Sequence, residues 1–377
     1  VGVYFDLNDE QQQIKATARE FLASRYKPER IRELIETDNG FEDSDWSEMV
    51  ELGWPGLALP EEHGGQGLGI VELAVVFEEM GYALAPSPLL SNTVAGLALA
   101  LCGSEEQKAE FLQPLAAGEK RGTPALVDAG STGTIGEFEM EAGAGDGVVL
   151  DGEKVLVLDA EAADFLLVAT ADGKRHLVET DQSGVSIERE SSIDPTRRLY
   201  SVRFDGVQVA DGRTLPAEGE DYFGVFHRAC AALAAELTGI AQRTMGMAVE
   251  YAKERQQFGR PIGSYQAVSH RCAQMLLETE GARSATYYAA WAADASPEDL
   301  PLGASMAKAY ASDAGWRVAN ESLQVHGGIG FTWEHDLHLW LKRATVDAAL
   351  FGDAHWHRER VADLILAEAA EREPAVA

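Results

Sequence analysis

The stretch VFHRACAALAAELTGIAQRTMGMAVEYAKER, residues 225–255, runs for about 30 residues with almost no helix breaker. As one helix it would measure about 45 Å. It stops at FGRPIGS, where glycine and proline end it. YQAVSHRCAQMLLETEGARSATYYAAWAA, ASMAKAYASDAGWRVANESLQVHGG and DAHWHRERVADLILAEAAE follow with short breaks. Four long Ala-rich helices predict a four-helix bundle, because small side chains let helix axes approach closely.

The rest of the chain has two other textures. DEQQQIKATAREFLASRY places Ile14, Ala18, Phe21 and Leu22 at helical spacing after an aspartate at the expected N-cap. LPEEHGGQGLG is a glycine-rich turn, and IVELAVVFEEMGYAL then resumes a helical pattern. GSEEQKAEFLQPLAAGE opens with the Gly-Ser and acids that suit a helix start. Between about 121 and 218 the segments become short, rich in Val, Leu and Ile, and broken by Gly and Asp. Such spacing predicts a small antiparallel barrel or sandwich, with Asp-Gly in LDGEKV as a hairpin turn. The expected class is therefore α+β in three domains: N-terminal helices over 1–120, a central β domain over 121–218, and a C-terminal helical bundle over 219–377.

Charge narrows the function. With 31 Lys+Arg against 62 Asp+Glu the formal charge is −31, a field that repels nucleic acid and anionic membranes. No apolar run of about 18 residues is present to span a bilayer. The opening VGVYFDLNDEQQQIKATAREFLA lacks the basic leader and apolar core of a signal peptide. Cys102, Cys230 and Cys272 are widely spaced in apolar or helical contexts. They read as reduced thiols of a cytoplasmic protein rather than metal ligands.

Metal and hydrolase chemistry find no support. His355 and His357 are two residues apart, so on a helix they point about 200° from one another. His335 and His338 can share a face, but no second ligand pair appears at recognisable spacing. No Gly-x-Ser-x-Gly elbow, phosphate-binding loop or Gly-x-Gly-x-x-Gly after a strand occurs. Two stretches remain. HGGIGF, residues 326–331, is either a helix cap and turn or a place where backbone approaches a ligand. KERQQFGRPIGSYQAV combines Arg255 at a helix end, Phe258-Gly259, a Pro-Gly turn, and Gln266 at the next helix start. That combination suits a diphosphate with a ring stacked on Phe258, or is a plain helix corner.

These two stretches resemble the acyl-CoA dehydrogenase family. Its helix end, Glu-Arg-x-x-Phe-Gly-x-Pro-Ile followed by Gln, matches Glu254 to Ile262 and Gln266. Its Gln-x-x-Gly-Gly-x-Gly turn matches Gln324, Gly327, Gly328 and Gly330. LGWPGLALPEEHGGQGLG and CGSEEQKAEFLQPLAAGE resemble N-terminal family segments, so the likeness covers nearly the whole chain. It implies helices, a β domain and a four-helix bundle, with FAD as cofactor and α,β-dehydrogenation of an acyl-CoA as the reaction. A carboxylate then takes the α proton while hydride passes to the flavin, and an electron acceptor flavoprotein reoxidises it.

The chain departs from the family where the chemistry is done. Phe351 stands where the family places its catalytic Glu. The alternative base position, on the long helix, falls near Ala229, with His227 and Arg228 close and no carboxylate. The Trp-Ile-Thr segment beside the flavin ring is here Leu156-Val157-Leu158. The loop that contributes Thr-Glu-Pro-x-Ala-Gly-Ser-Asp is reduced to ALVDAGSTGT, residues 125–134.

In the family, the retained Arg-x-x-Phe-Gly and Gly-Gly elements hold the ADP end of a FAD whose ring lies in the neighbouring subunit. On that likeness Arg255, Phe258, Gln266, Gln324, Gly327 and Gly328 are cofactor residues serving an unlike partner. The pattern resembles the actinobacterial steroid side-chain dehydrogenases, α2β2 assemblies acting on bulky acyl-CoA thioesters. Asp353, two residues past the missing Glu, is either a displaced base or a helix N-cap. A self-sufficient homotetramer using Asp353 and a scaffold that binds no flavin are the competing expectations.

Overall fold

The computed structural model describes residues 7–131, 136–145, 147–217 and 221–372. Six helices come first: α1 (Asp9–Arg25), α2 (Pro28–Ile35), α3 (Asp43–Glu51), α4 (Ile70–Ala83), α5 (Leu89–Cys102) and α6 (Glu105–Ala116). Two of them begin in capping boxes. Asn8 accepts from the Gln11 amide and Ser104 from the Gln107 amide, each glutamine answering from its side chain. The cap of α1 is thus Asn8, one residue before the aspartate expected from the sequence, because the glutamine needed to close the box is Gln11.

Eight strands follow: β1 (Gly122–Ala125), β2 (Val127–Asp128), β3 (Ala142–Gly145), β4 (Gly147–Leu158), β5 (Phe165–Ala169), β6 (Arg175–Glu179), β7 (Val185–Arg189) and β8 (Leu199–Val209). One sheet runs β1-β5-β6, the other β2-β4-β8-β7 with β3 also on β4. Leu166, Val168 and Val178 from the first sheet meet Leu150, Val157, Val202, Phe204 and Val207 from the second in one buried cluster, so the sheets face each other as a sandwich. Two expectations change. β1 and β5 pair in parallel, a non-local pairing that strand texture does not encode. Asp151-Gly152 makes no hairpin: both sit within β4 at a bulge, where Asp151 Oδ1 accepts from the Gly206 amide at 2.7 Å.

The last part holds α7 (Asp221–Glu254), a small hairpin of β9 (Gln256–Gln257) and β10 (Arg260–Pro261), then α8 (Gln266–Ala295), α9 (Leu300–His326), α10 (Leu337–Ala349) and α11 (Ala354–Arg372). The bundle thus has one more helix than expected, α10 forming inside the stretch that precedes DAHWHRER. Among the described residues no helix is long and apolar enough to cross a membrane.

The chain divides into two compact units. One comprises residues 27–73 and 85–229. There Arg198 donates to the carbonyls of Ile35 and Thr37 beyond α2, Gln107 of α6 donates to Gly212 O, and Ser91 of α5 donates to Asp159 Oδ2. Helices α2, α5 and α6 are thereby tied to residues that flank β4 and β8.

The other unit comprises 1–26, 74–84 and 230–377. Two glycines let α4 and α7 approach closely. A Cβ on Gly81 of α4 would collide with Glu236 O, and one on Gly239 of α7 with Glu78 O, so backbone meets backbone. The Glu78 side chain is buried there, with Lys15 Nζ at 2.8 Å, Tyr287 Oη at 2.8 Å and Arg283 in contact. Burial raises the Glu78 carboxyl, but Arg283 and Lys15 outweigh it and hold the group below its ordinary range.

Candidate active site

Helix α7 ends at Glu254, and the chain reverses at Phe258-Gly259 with φ of 53° and 77°. Both residues are left-handed, which matches a type I′ turn between β9 and β10. The turn pushes Phe258 into solvent at 92% exposure, beside an exposed Arg255. Behind it the Arg260 guanidinium lies 4.0 Å over the Tyr265 ring, whose hydroxyl donates to Gln257 O at 3.1 Å. Helix α8 then starts at exposed Gln266 with no side-chain cap from Tyr265. An arginine and an uncapped helix N-terminus suit an anionic group together.

The second motif closes α9. Gln324 is exposed on its last turn, and Gly327 follows as the C-cap with φ 64°. A Cβ at either glycine meets no described atom within 4 Å, but Gly328, unlike Gly327, is not left-handed. Among the described residues nothing calls for a glycine at 328, so the open space before it leaves room for a ligand.

An aromatic contact that sequence reading missed joins the two motifs. Tyr251, one turn before Arg255, stacks on His326, next to Gly327, with 4.5 Å between centroids and 26° between planes. His335 packs on the other ring contact of His326 at 4.5 Å. His326 Nδ1 donates to Ser322 O at 2.8 Å, and burial lowers its pKa. Beneath the stack Ala252, Ile262, Val268 and Val325 share one apolar cluster. The only signal in the sequence was an aromatic residue one helical turn before Arg255 and a histidine opening the HGGIGF stretch.

Position 351 lies on the link between α10 and α11. Phe351 is left-handed at φ 55° and Gly352 at φ 89°. His357 Nε2 donates to Phe351 O at 2.9 Å. Asp353 is exposed and accepts from the Trp356 amide at 2.8 Å, the N-cap arrangement for α11. His355 is exposed whereas His357 is fully buried, so the two histidines do not share a face. Among the described residues no three His, Cys, Asp or Glu side chains gather to hold a metal.

The third position is Leu156-Val157-Leu158, at the end of β4. Leu156 is left-handed at φ 55° and exposed, and its amide donates to Glu190 Oε1 at 3.2 Å. Val157 and Leu158 are buried, and Leu158 O accepts from Thr123 Oγ1 at 2.6 Å. No ring or hydroxyl is presented here to a flavin. In the reduced loop, Asp128 pairs with fully buried Lys154 at 2.7 Å, while residues 132–134 lie outside the described residues. Near Ala229, His227 is buried against Phe223 and Phe226.

The residues present therefore fit the ADP end of FAD and do not fit its ring.

Comparison with known proteins agrees on the family. The acyl-CoA dehydrogenase N-terminal domain matches residues 8–119 and the acyl-CoA dehydrogenase C-terminal domain matches 224–366. The chain is similar to acyl-CoA dehydrogenase IpdE2 of Mycobacterium tuberculosis, 34% identical over 91% of this chain and 93% of that protein. Among solved structures, a variant of the Tcur3481–Tcur3483 steroid ACAD is 32% identical with a TM-score of 0.88, covering 96% of this chain and 99% of that one. The ChsE4–ChsE5 complex from Mycobacterium tuberculosis is 27% identical with a TM-score of 0.88, covering 99% and 100%. The chain belongs to the acyl-CoA dehydrogenase family.

Proposed function

We propose that this chain is one subunit of a heteromeric FAD-dependent acyl-CoA dehydrogenase, supplying the ADP-end contacts of FAD to an unlike subunit that carries the flavin ring and the catalytic base. The observation behind this reading is an asymmetry. Arg255, Phe258, Gln266, Gln324, Gly327 and Gly328 stand at one end of the bundle in the form the family uses, with Phe258 and Gly328 open to solvent. At the base and ring positions stand Phe351 and Leu156-Val157-Leu158.

FAD bound there would supply the hydride acceptor for the β carbon. Arg255 and the α8 N-terminus would hold its diphosphate, and Phe258 would cover a flat ring. The named steroid ACAD and the two-protein ChsE4–ChsE5 complex favour an α2β2 assembly and a bulky, steroid-like acyl-CoA thioester. The electron acceptor is a flavoprotein, and the reaction belongs in the cytoplasm.

The test is flavin content. The chain purified alone should carry no FAD, and co-expression with the unlike subunit should give roughly one FAD per pair of unlike chains. A full complement of FAD in the lone protein would overturn the heteromer and make Asp353 the candidate base. No FAD in the assembled pair would leave a scaffold.

A further inference from the structure

The loop that carries residue 351 is fastened from within the bundle by a residue the sequence reading passed over. Lys308, midway along α9, is fully buried. Its ammonium donates to Gly352 O at 2.9 Å, Ser312 Oγ at 3.0 Å and Ala348 O at 3.1 Å. Three bonds use all three N–H donors of the protonated side chain. Ala348 O belongs to the last turn of α10, whose carbonyl end favours a cation, and Gly352 O belongs to the loop itself.

From the opposite side His357 of α11 donates to Phe351 O at 2.9 Å. Gly352 is also confined, since a Cβ there would lie 2.9 Å from Trp356 Cε3 and 3.2 Å from His357 Nε2. Two consecutive carbonyls, Phe351 O and Gly352 O, are thus each held by a buried cation or imidazole from a different helix. Between those anchors Phe351 keeps a left-handed backbone at φ 55°, a conformation a bulky residue adopts only when its surroundings impose it.

Stability does not explain the lysine. A buried ammonium carries a desolvation cost, and replacing buried charge with a well-packed apolar side chain is often neutral or stabilising. We propose that Lys308 is a positioning residue that, with His357, fixes the Phe351–Gly352 backbone, so that the side chain at 351 is presented at one place and angle. This deepens the heteromer reading, which gives position 351 its meaning, but the latch itself involves neither flavin nor partner.

The groups facing Lys308 are Cys230 from α7, Ser312 on its own helix, Asp347 of α10 and Asp353 of the loop. Burial pushes the lysine down to about 8, against the pull of Cys230, Asp347 and Asp353. The Cys230 thiol is itself pushed up to about 12 by burial and stays neutral. Loss of the proton from Lys308 removes its charge and one donor; the Ser312 hydroxyl then has to donate to the neutral amine, and the hold on the two carbonyls weakens above that pH.

Hydrogen exchange followed by mass spectrometry on the peptide spanning 348–357, corrected for intrinsic rates, reads this directly. In the intact chain, protection of that peptide should fall as pH rises through about 8. Lys308→Met should expose it roughly tenfold at neutral pH, remove the pH step, and leave the α8 peptides and the thermal midpoint unchanged or raised. Faster exchange throughout the bundle with a lowered midpoint would make Lys308 merely structural and overturn the proposal. So would unchanged protection of that peptide in Lys308→Met; should that variant not fold, His357→Gln removes the other anchor, and unchanged protection of the peptide there likewise overturns the proposal. Flavin content plays no part in this readout, so its failure and that of the heteromer reading are separable.

Discussion

Tyr251 and His326 stack with 4.5 Å between ring centroids, and that contact brings the end of α7 to the end of α9. Arg255 and Gly327, each within a turn of one of the two rings, are brought to the same end of the bundle by it. Replacing Tyr251 with Leu removes a stacked pair worth about 0.5–1.5 kcal/mol beyond its burial. The assembled pair should then retain less FAD, with only a small fall in the denaturant midpoint of the lone chain. Full flavin retention in Tyr251→Leu would show that the stack does not set the site.

Gly328→Ala separates packing from ligand approach. No atom lies within 4 Å of the added Cβ, so the substitution should leave stability unchanged or raise it by about 0.4–1 kcal/mol through the unfolded chain. FAD retention by the heteromer should nevertheless fall, because the methyl enters the space the cofactor needs. Unimpaired retention would place the dinucleotide elsewhere.

Restoring one family side chain at the ring position should not restore a site. Leu158 is buried, so Leu158→Thr loses apolar volume and buries a hydroxyl at a cost of about 2–3 kcal/mol. Urea unfolding should show that loss, and the lone chain should still elute without flavin. Tight flavin binding by the single variant would mean that the hydroxyl alone had been missing.

Acid sensitivity should centre on His176. It is fully buried between Thr170 Oγ1 at 3.0 Å and Thr214 Oγ1 at 2.9 Å, and burial pushes its pKa from 6.5 down to about 4. Unfolded chains bind the proton first, so stability present above pH 6.5 is lost as pH falls towards 4. The full loss is about 3 kcal/mol. Thermal midpoints measured across that range should slope steeply, and His176→Gln should flatten the slope. An unchanged slope in the variant assigns the acid sensitivity to other groups.

The order of helices, strands and helices was legible because the textures differ: Ala-rich runs without breakers against short Val and Leu segments cut by Gly and Asp. Long-range pairing was not. The parallel β1–β5 contact depends on residues that are distant in sequence, and Asp151-Gly152 reads as a turn although Gly206 draws it into a bulge. At the site, Arg255, Phe258 and the Gly327-Gly328 turn stood out as motifs, and the departures at Phe351 and Leu156 needed the family likeness to be seen. Tyr251 and Lys308 escaped notice because each acts across the bundle, on partners dozens of residues away.

Five described residues other than glycine hold a left-handed backbone, and three of them are Leu156, Phe258 and Phe351. These are the positions the family likeness assigns to the ring wall, the ADP-end aromatic and the base. At roughly 1 kcal/mol each, they keep in reserve a strain comparable to an appreciable share of a domain's net stability. Two of the three side chains no longer have the chemistry of those roles, yet the strained path of the chain remains. A fold free to relax could relieve each with a single change to glycine. The mould has outlasted the casting, and what the chain keeps at these positions is shape before it is chemistry.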